Sequence, residues 1–358
     1  MKTVIVRDLP PTADNNRNSE GAFLQRRDGS ILFAYSRYRA KGASDGAEAD
    51  LYGMVSHDGG RSFGEPFPIL THEQAGGENV MSVSLLRMAK GDMGLFFLRK
   101  SGGDQCLPFL MRSSDEGASW NEPLLCGEEK GYFVVNNDRV IRTRQGRILI
   151  PAALHEGVWG AGVFYLFASD DDGKSFYTLF HGSTIPRSRG SRVGIQEPGL
   201  LELADGRLWC YVRTDTGRQY EAFSDDGGVS FTDFAPSAFT SPVSPLSVKR
   251  LSDGRLLAVW NPIPLYNGRS ERIDGVWTGA RTPLVMAFSE DDGESFSSPI
   301  PIETDEKSGF CYTAIHETDD GAILLGYCAG SVADGSTLNR LRLRRLEKEE
   351  KQTPTAHP

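Results

Sequence analysis

Apolar and polar positions along this chain change places in short runs, and the same punctuation closes run after run. Six Asp-Gly-type turns are each followed by a β-rich apolar stretch: RRDGSIL (Arg26 to Leu32), KGDMGLF (Lys90 to Phe96), RQGRILI (Arg144 to Ile150), ADGRLWCYV (Ala204 to Val212), SDGRLLAVW (Ser252 to Trp260) and DDGAILLGY (Asp319 to Tyr327). A turn of this kind with alternating or continuous apolar residues behind it predicts a β-hairpin. Only the charged stretch Leu341 to Lys351 carries a pattern compatible with a helix.

A second series lies between these turns. Five octapeptides read SHDGGRSF, SSDEGASW, SDDDGKSF, SDDGGVSF and SEDDGESF and begin at Ser56, Ser113, Ser169, Ser224 and Ser289, at steps of 57, 56, 55 and 65 residues. In each, the Asp can accept bonds from the amides of its own turn, the Gly supplies a backbone conformation other residues resist, and the closing Phe or Trp can pin the turn. This is a hairpin staple, with no direct part in chemistry. A fixed period of this size marks a repeat architecture. Six four-stranded units at this spacing predict an all-β, six-bladed β-propeller. Five units carry the staple, so the sixth blade is expected to combine N-terminal and C-terminal strands. Residues 1–358 then form one domain, with 346–358 as a disordered tail.

Composition narrows the class. With 39% hydrophobic and 24% charged residues the 358-residue chain is a soluble globular protein. A net charge of −9 argues against a nucleic-acid partner. Cys106, Cys126, Cys210, Cys311 and Cys328 are far apart, odd in number and without CxxC spacing, which fits free thiols in a reducing compartment better than a metal knuckle or a disulfide framework. The start, MKTVIVRDLPPT, does not read as a signal peptide, and no apolar run is long enough to span a membrane. The expected location is therefore cytoplasmic.

The SxDxGxS[FW] octapeptide resembles the Asp-box, and six blades with recurring Asp-boxes resemble the sialidase (neuraminidase) superfamily over about residues 15 to 345. The resemblance implies an exo-glycoside hydrolase acting on a terminal acidic sugar, sialic acid or a relative, without metal or organic cofactor. Such a site needs arginines on the sugar carboxylate, an Asp acid/base, and a Tyr nucleophile backed by a Glu, because an anionic sugar would repel a carboxylate nucleophile. In FAYSRYRAKGASDG, Arg39 and Asp45 have the family spacing, with Asp45 as acid/base and Arg39 as a wall residue. In GIQEPGLLELADGRLWCYVRTDTG, Glu197 and Arg213 match the base and one arginine. Arg281 in GARTPLVMAFSEDDG matches another, and Tyr312 in GFCYTAIHETDDG the nucleophile.

The match breaks on the first strand, NNRNSEGAFLQRRDG. Counting back from Asp28 puts Ser19 or Glu20 where the family carries its first arginine, and Arg17 lies two or three residues earlier. Either Arg17 reaches inward and completes the set, or Glu20 puts a carboxylate in place of a cation. Further polar residues sit at the ends of apolar strands: Asn79, Ser82, Asn137, Asp138, Arg139, His155, Asn261 and His316. Singly each reads as a satisfied structural group; together they suggest a polar funnel for a sugar, with Asn137, Arg139, His155 and His316 as binding residues. Two other readings stand beside the sialidase-like one. His155 or His316 with Tyr312 could serve β-elimination in a uronate lyase, and a propeller of this kind could bind glycans without catalysis.

Overall fold

The short alternating runs become strands. A computed structural model describes residues 2–40, 42–155, 160–185 and 190–347, and among them the fold is all β, with one 3-10 turn at Val332–Asp334. Each Asp-Gly-type turn joins two antiparallel strands. The first joins Asn15–Gln25 to Ile31–Arg39, and the last joins Cys311–Glu317 to Ile323–Cys328.

Most units run up and down in chain order. Asn15–Gln25, Ile31–Arg39, Ala49–Ser56 and Phe67–Leu70 pair successively, as do Asn79–Arg87, Met93–Lys100, Cys106–Ser113 and Leu124–Leu125. These two runs and the strands from Tyr132 to Ser183 belong to one thirteen-stranded sheet, joined by single parallel bridges, Ala49 to Asn79 and Tyr132 to Cys106. Two separate four-stranded sheets follow, Gln196–Glu202 to Ala235–Thr240 and Ser247–Arg250 to Ile300–Glu303. In the last sheet Leu341–Glu347 lies between Ile323–Cys328 and the N-terminal strand Lys2–Leu9. The charged stretch from Leu341 is thus a strand to Glu347, not a helix. Its arginines pair with acids on neighbouring segments, Arg342 and Arg344 with Glu303 and Arg345 with Asp320, and Leu341, Leu343 and Leu346 are buried. Of the tail expected at 346–358, Leu346 and Glu347 belong to this strand, and the rest lies outside the described residues.

The core sits between neighbouring units. Phe23, Ile31, Phe33 and Met54 of the first unit pack with Ala314, Leu324, Leu341 and Leu343 of the last. Leu257, Val259 and Met286 pack with Ile315, Leu325 and Tyr327 in the same manner.

All five octapeptides fold alike. The first Ser hydroxyl donates to Asp Oδ1 at 2.7–2.8 Å and accepts from the Gly amide, while the second Ser donates its amide to Oδ1 and its hydroxyl to Oδ2. Glycine is required at Gly60: its φ is +82°, and a Cβ there would lie 2.6 Å from Leu324 in the last sheet. The bonds from the Ser119 and Ser230 hydroxyls and amides pull the Asp115 and Asp226 carboxyls down to about 2. An unfolded Asp titrates near 3.9. The stability these ionised groups contribute is therefore present above that pH and is lost as pH falls through about 2. Asp226→Asn should lower the urea midpoint at neutral pH and flatten its decline between about pH 4 and 2.

Candidate active site

A bulge repeats at the same place in four strands. The register slips by one residue between Ser19 and Ala22, Met81 and Ser84, Gln196 and Gly199, and Cys311 and Ala314. Each bulge holds one residue in the left-handed region: Glu20 (φ 57°), Ser82 (58°), Glu197 (47°) and Tyr312 (59°). Each stands nine residues before a turn glycine, Gly29, Gly91, Gly206 or Gly321. Non-glycine residues avoid this conformation, and bulges re-aim side chains. Here the four side chains converge on one cavity of about 70 Å³, whose lining also includes Asp45, Lys100 and Tyr132.

On one wall the Tyr312 hydroxyl donates to Glu197 Oε1 at 2.8 Å. Arg213 Nη1 donates to the same oxygen at 2.7 Å and lies 3.3 Å from the tyrosine oxygen. Glu197 Oε2 is buried without a partner among the described residues. Burial, and then the Glu197 charge, push the Tyr312 phenol well above its ordinary range, against the pull of Arg213 and Arg281. Arg281 is 1% exposed and lies with its guanidinium over the Tyr312 ring, 5.3 Å from the centroid. It donates to the Val243 carbonyl and to Cys311 Sγ, the latter at 2.9 Å.

The question raised by the first strand is answered by a pair: Glu20 lines the cavity, and Arg17, fully buried and not itself part of the lining, is bonded to it. Arg17 Nη2 donates to Glu20 Oε1 at 2.8 Å, Nη1 to Asp45 Oδ1 at 2.6 Å, and Nε to Ser19 Oγ. Its face lies over the Tyr38 ring. The Ser82 hydroxyl donates to Glu20 Oε2 at 2.7 Å. Burial raises the Glu20 carboxyl despite Arg17. Asp45 keeps a 60% exposed side chain; desolvation there is outweighed by the charges of Arg17 and Lys100, which hold its carboxyl below the usual range. Lys100 donates to the Asp45 carbonyl at 2.6 Å and stands 5.4 Å from the Tyr132 ring.

His155 is buried beside this cluster, within electrostatic reach of Glu197 and Arg213. Its Nδ1 is 3.1 Å from the Gly160 carbonyl, its Nε2 has no partner among the described residues, and burial lowers its pKa. Asn137 acts as a brace, its amide donating to the Gly21 and Tyr312 carbonyls.

Three candidate residues stand elsewhere. Arg39 is clamped by Asp50 at 2.9 Å and by both oxygens of Glu73. Among the described residues Asp50, His72 and Glu73 form the group of ligating atoms close enough for a metal, yet the Arg39 guanidinium already supplies a cation to two of the three. Arg139 donates to the Tyr211 hydroxyl and the Leu246 carbonyl and lines a different cavity, about 450 Å³, together with Asp138, Lys249 and Arg250. His316 stacks on Phe23 and is pushed down to about 4 by burial and by Lys249. Conversely, Lys100 and Tyr132 were not singled out in the sequence. A Lys closing the run MGLFFLRK has the look of a solvated strand end.

Repeated antiparallel units stapled by one octapeptide, with polar groups gathered at bulges of equivalent strands, define a class, and the profile of one family fits it. The chain belongs to the BNR repeat-like domain family, whose profile matches residues 30–325, and with it to the sialidase/BNR superfamily. It is 24% identical over 253 residues to the anhydrosialidase of Macrobdella decora, covering 67% of this chain but only 31% of that protein. A Dyadobacter fermentans protein of unknown function superposes with a TM-score of 0.74 at 18% identity, covering 96% of this chain and 99% of the other. The leech intramolecular trans-sialidase in complex with 2,7-anhydro-Neu5Ac superposes with a TM-score of 0.72 at 14% identity, covering 97% and 70%. At these identities the structural likeness is one of fold. No helix among the described residues is long and apolar enough to cross a membrane.

Proposed function

We propose that the chain is a single six-bladed β-propeller and a sialidase-like exo-glycoside hydrolase acting on a terminal acidic sugar, sialic acid or a relative. For the architecture, contacts between the strands that precede the turns support the reading. Asn15–Gln25 contacts both Asn79–Arg87 and Cys311–Glu317, and Ser247–Arg250 contacts both Cys311–Glu317 and Gln196–Glu202.

The observation that carries the chemistry is the shared oxygen of Glu197, bonded at once by the Tyr312 hydroxyl and by Arg213. A phenol is a poor nucleophile until its proton has somewhere to go. Glu197 takes that proton as Tyr312 attacks the anomeric carbon, and its second oxygen has no bond among the described residues. Arg213, 3.3 Å from the tyrosine oxygen, stabilises the phenolate character that develops as the proton leaves. Asp45, on the facing wall, protonates the leaving oxygen; the negative charge of an entering acidic sugar raises its pKa and favours its uptake of a proton. Arg213 pairs with Glu197, while the buried Arg281 donates to the Val243 carbonyl and Cys311 Sγ and has no carboxylate partner among the described residues, so this wall has room for a second anion, and the sugar carboxylate supplies it. Arg17 is neutralised by Glu20 and Asp45, and the carboxylate is therefore held from the Arg213 side.

A second reading rests on His155. With Nδ1 on a carbonyl and Nε2 buried without a partner among the described residues, the imidazole offers a lone pair, as a base removing a proton α to a uronate carboxylate would. The assay separates the two: release of free sugar from an aryl sialoside against the ultraviolet absorbance of an unsaturated uronate formed from a polyuronide. We expect free sugar, unchanged after exhaustive chelation, since acid, base, nucleophile and charge are all supplied by side chains. An unsaturated product lost in His155→Ala would give the site to elimination.

A further inference from the structure

Cys311 and Cys328 are direct cross-strand partners in the last sheet. Residues directly opposed in an antiparallel pair have Cα atoms about 4.5–5.5 Å apart, inside the range of about 4.4–6.8 Å that a disulfide spans. Directly opposed residues of an antiparallel pair place their side chains on the same face of the sheet, so the two thiols are neighbours. Both are buried, at 2% and 0% exposure. The other three cysteines lie on other segments, and none is registered opposite a cysteine.

The two thiols stand in unlike surroundings. Arg281 Nη1 donates to Cys311 Sγ at 2.9 Å, and although burial opposes it, the Cys328 thiol and this guanidinium together bring Cys311 below its ordinary range. Burial and the neighbouring sulfur push Cys328 well above. A sulfur held towards thiolate by a cation is the reactive one of a pair, and a protonated neighbour in contact is placed to resolve it. Neither group has a part in the glycosidase chemistry described above.

We propose that Cys311 and Cys328 form a reversible, peroxide-sensitive dithiol site beside Tyr312, whose disulfide withdraws the Cys311 sulfur from Arg281. The Cys311 thiolate attacks one oxygen of a peroxide, breaking the O–O bond and releasing hydroxide or alkoxide, and becomes a sulfenic acid. The Cys328 sulfur attacks the sulfenic sulfur, the S–S bond forms, and water leaves with the Cys328 proton. The peroxide is reduced by two electrons and the dithiol oxidised by two. A dithiol reductant reverses the change through a mixed disulfide. The register of the strands makes the cross-link possible without unfolding. The inference does not depend on the glycosidase reading, because the bond can be detected without substrate.

The test uses the full chain, reduced, exposed to hydrogen peroxide, quenched, denatured and alkylated with N-ethylmaleimide. The expected intact mass carries three adducts in place of the five of the reduced chain, and a peptide map joins Cys311 to Cys328. Dithiothreitol should restore all five. In Cys328→Ser the reaction should stop at a sulfenic acid on Cys311, trapped by dimedone. Persistence of five adducts, a cross-link between other cysteines, or over-oxidation of Cys311 without a cross-link would each overturn the proposal. Should Cys328→Ser fail to fold, the map of the unaltered chain decides alone.

Discussion

Tyr312→Phe is expected to remove turnover of an acidic glycoside, lowering kcat by roughly 10⁴-fold or more, the scale on which enzymes lose a covalent nucleophile. Binding of a non-hydrolysable acidic analogue should change little. The phenyl ring keeps its place against Arg281, and Arg213 keeps its bond to Glu197. Only the hydroxyl is lost, and under the proposed mechanism that oxygen makes its decisive bond at the transition state. Burst kinetics and calorimetry with the analogue check the two halves separately. A variant that retains turnover would show that some other group attacks the sugar.

Glu197→Gln should lower kcat by about 10²- to 10⁴-fold, the usual contribution of a positioned general base. An amide cannot take the Tyr312 proton, yet its carbonyl can still accept from Arg213, so the fold should stand. Glu197→Ala is a different experiment. It leaves the Arg213 guanidinium buried beside Arg281 with no carboxylate, and breaking a buried pair in this way costs about 3–5 kcal/mol. Chemical denaturation should therefore separate the variants: Gln near the parent, Ala well below it. Equal stability of the two would mean that Arg213 finds another partner and that the Glu197 pair is dispensable to the fold.

The repeated units were legible because the information is local. An Asp with the right serines two residues before and four after it folds its own turn, and an Asp-Gly turn before an apolar run makes its own hairpin. Leu341 to Glu347 was misread because alternation of Leu and Arg at so short a length suits a helix as well as a strand, and only Asp8, Glu303 and Asp320, from distant parts of the chain, decide it. Glu197, Arg213 and Tyr312 were legible through the family resemblance: the first two stand on paired strands of one sheet, and Tyr312 reaches them from another sheet. His316 shows the limit. Four residues beyond Tyr312 along an extended strand is about 13 Å, so it faces a different environment although its letter looks equally chemical. Arg139 and Arg39 show another. Whether an arginine faces a cavity or an acid depends on partners such as Tyr211 or Glu73 that no local pattern reveals.

The bulge shared by Glu20, Ser82, Glu197 and Tyr312 amounts to a set of interchangeable sockets. Each holds whatever side chain it is given at the same depth and angle, because the backbone, not the residue, does the aiming. An acid, a hydroxyl, a second acid and a phenol occupy them here. Under the proposed function, such a site is retuned by exchanging one letter per socket, with the scaffold left as it is. Glu20 is then a natural letter to exchange: replaced by a neutral residue, it would leave Arg17 with Asp45 as its remaining acidic partner and turn a self-contained wall into a more receptive one.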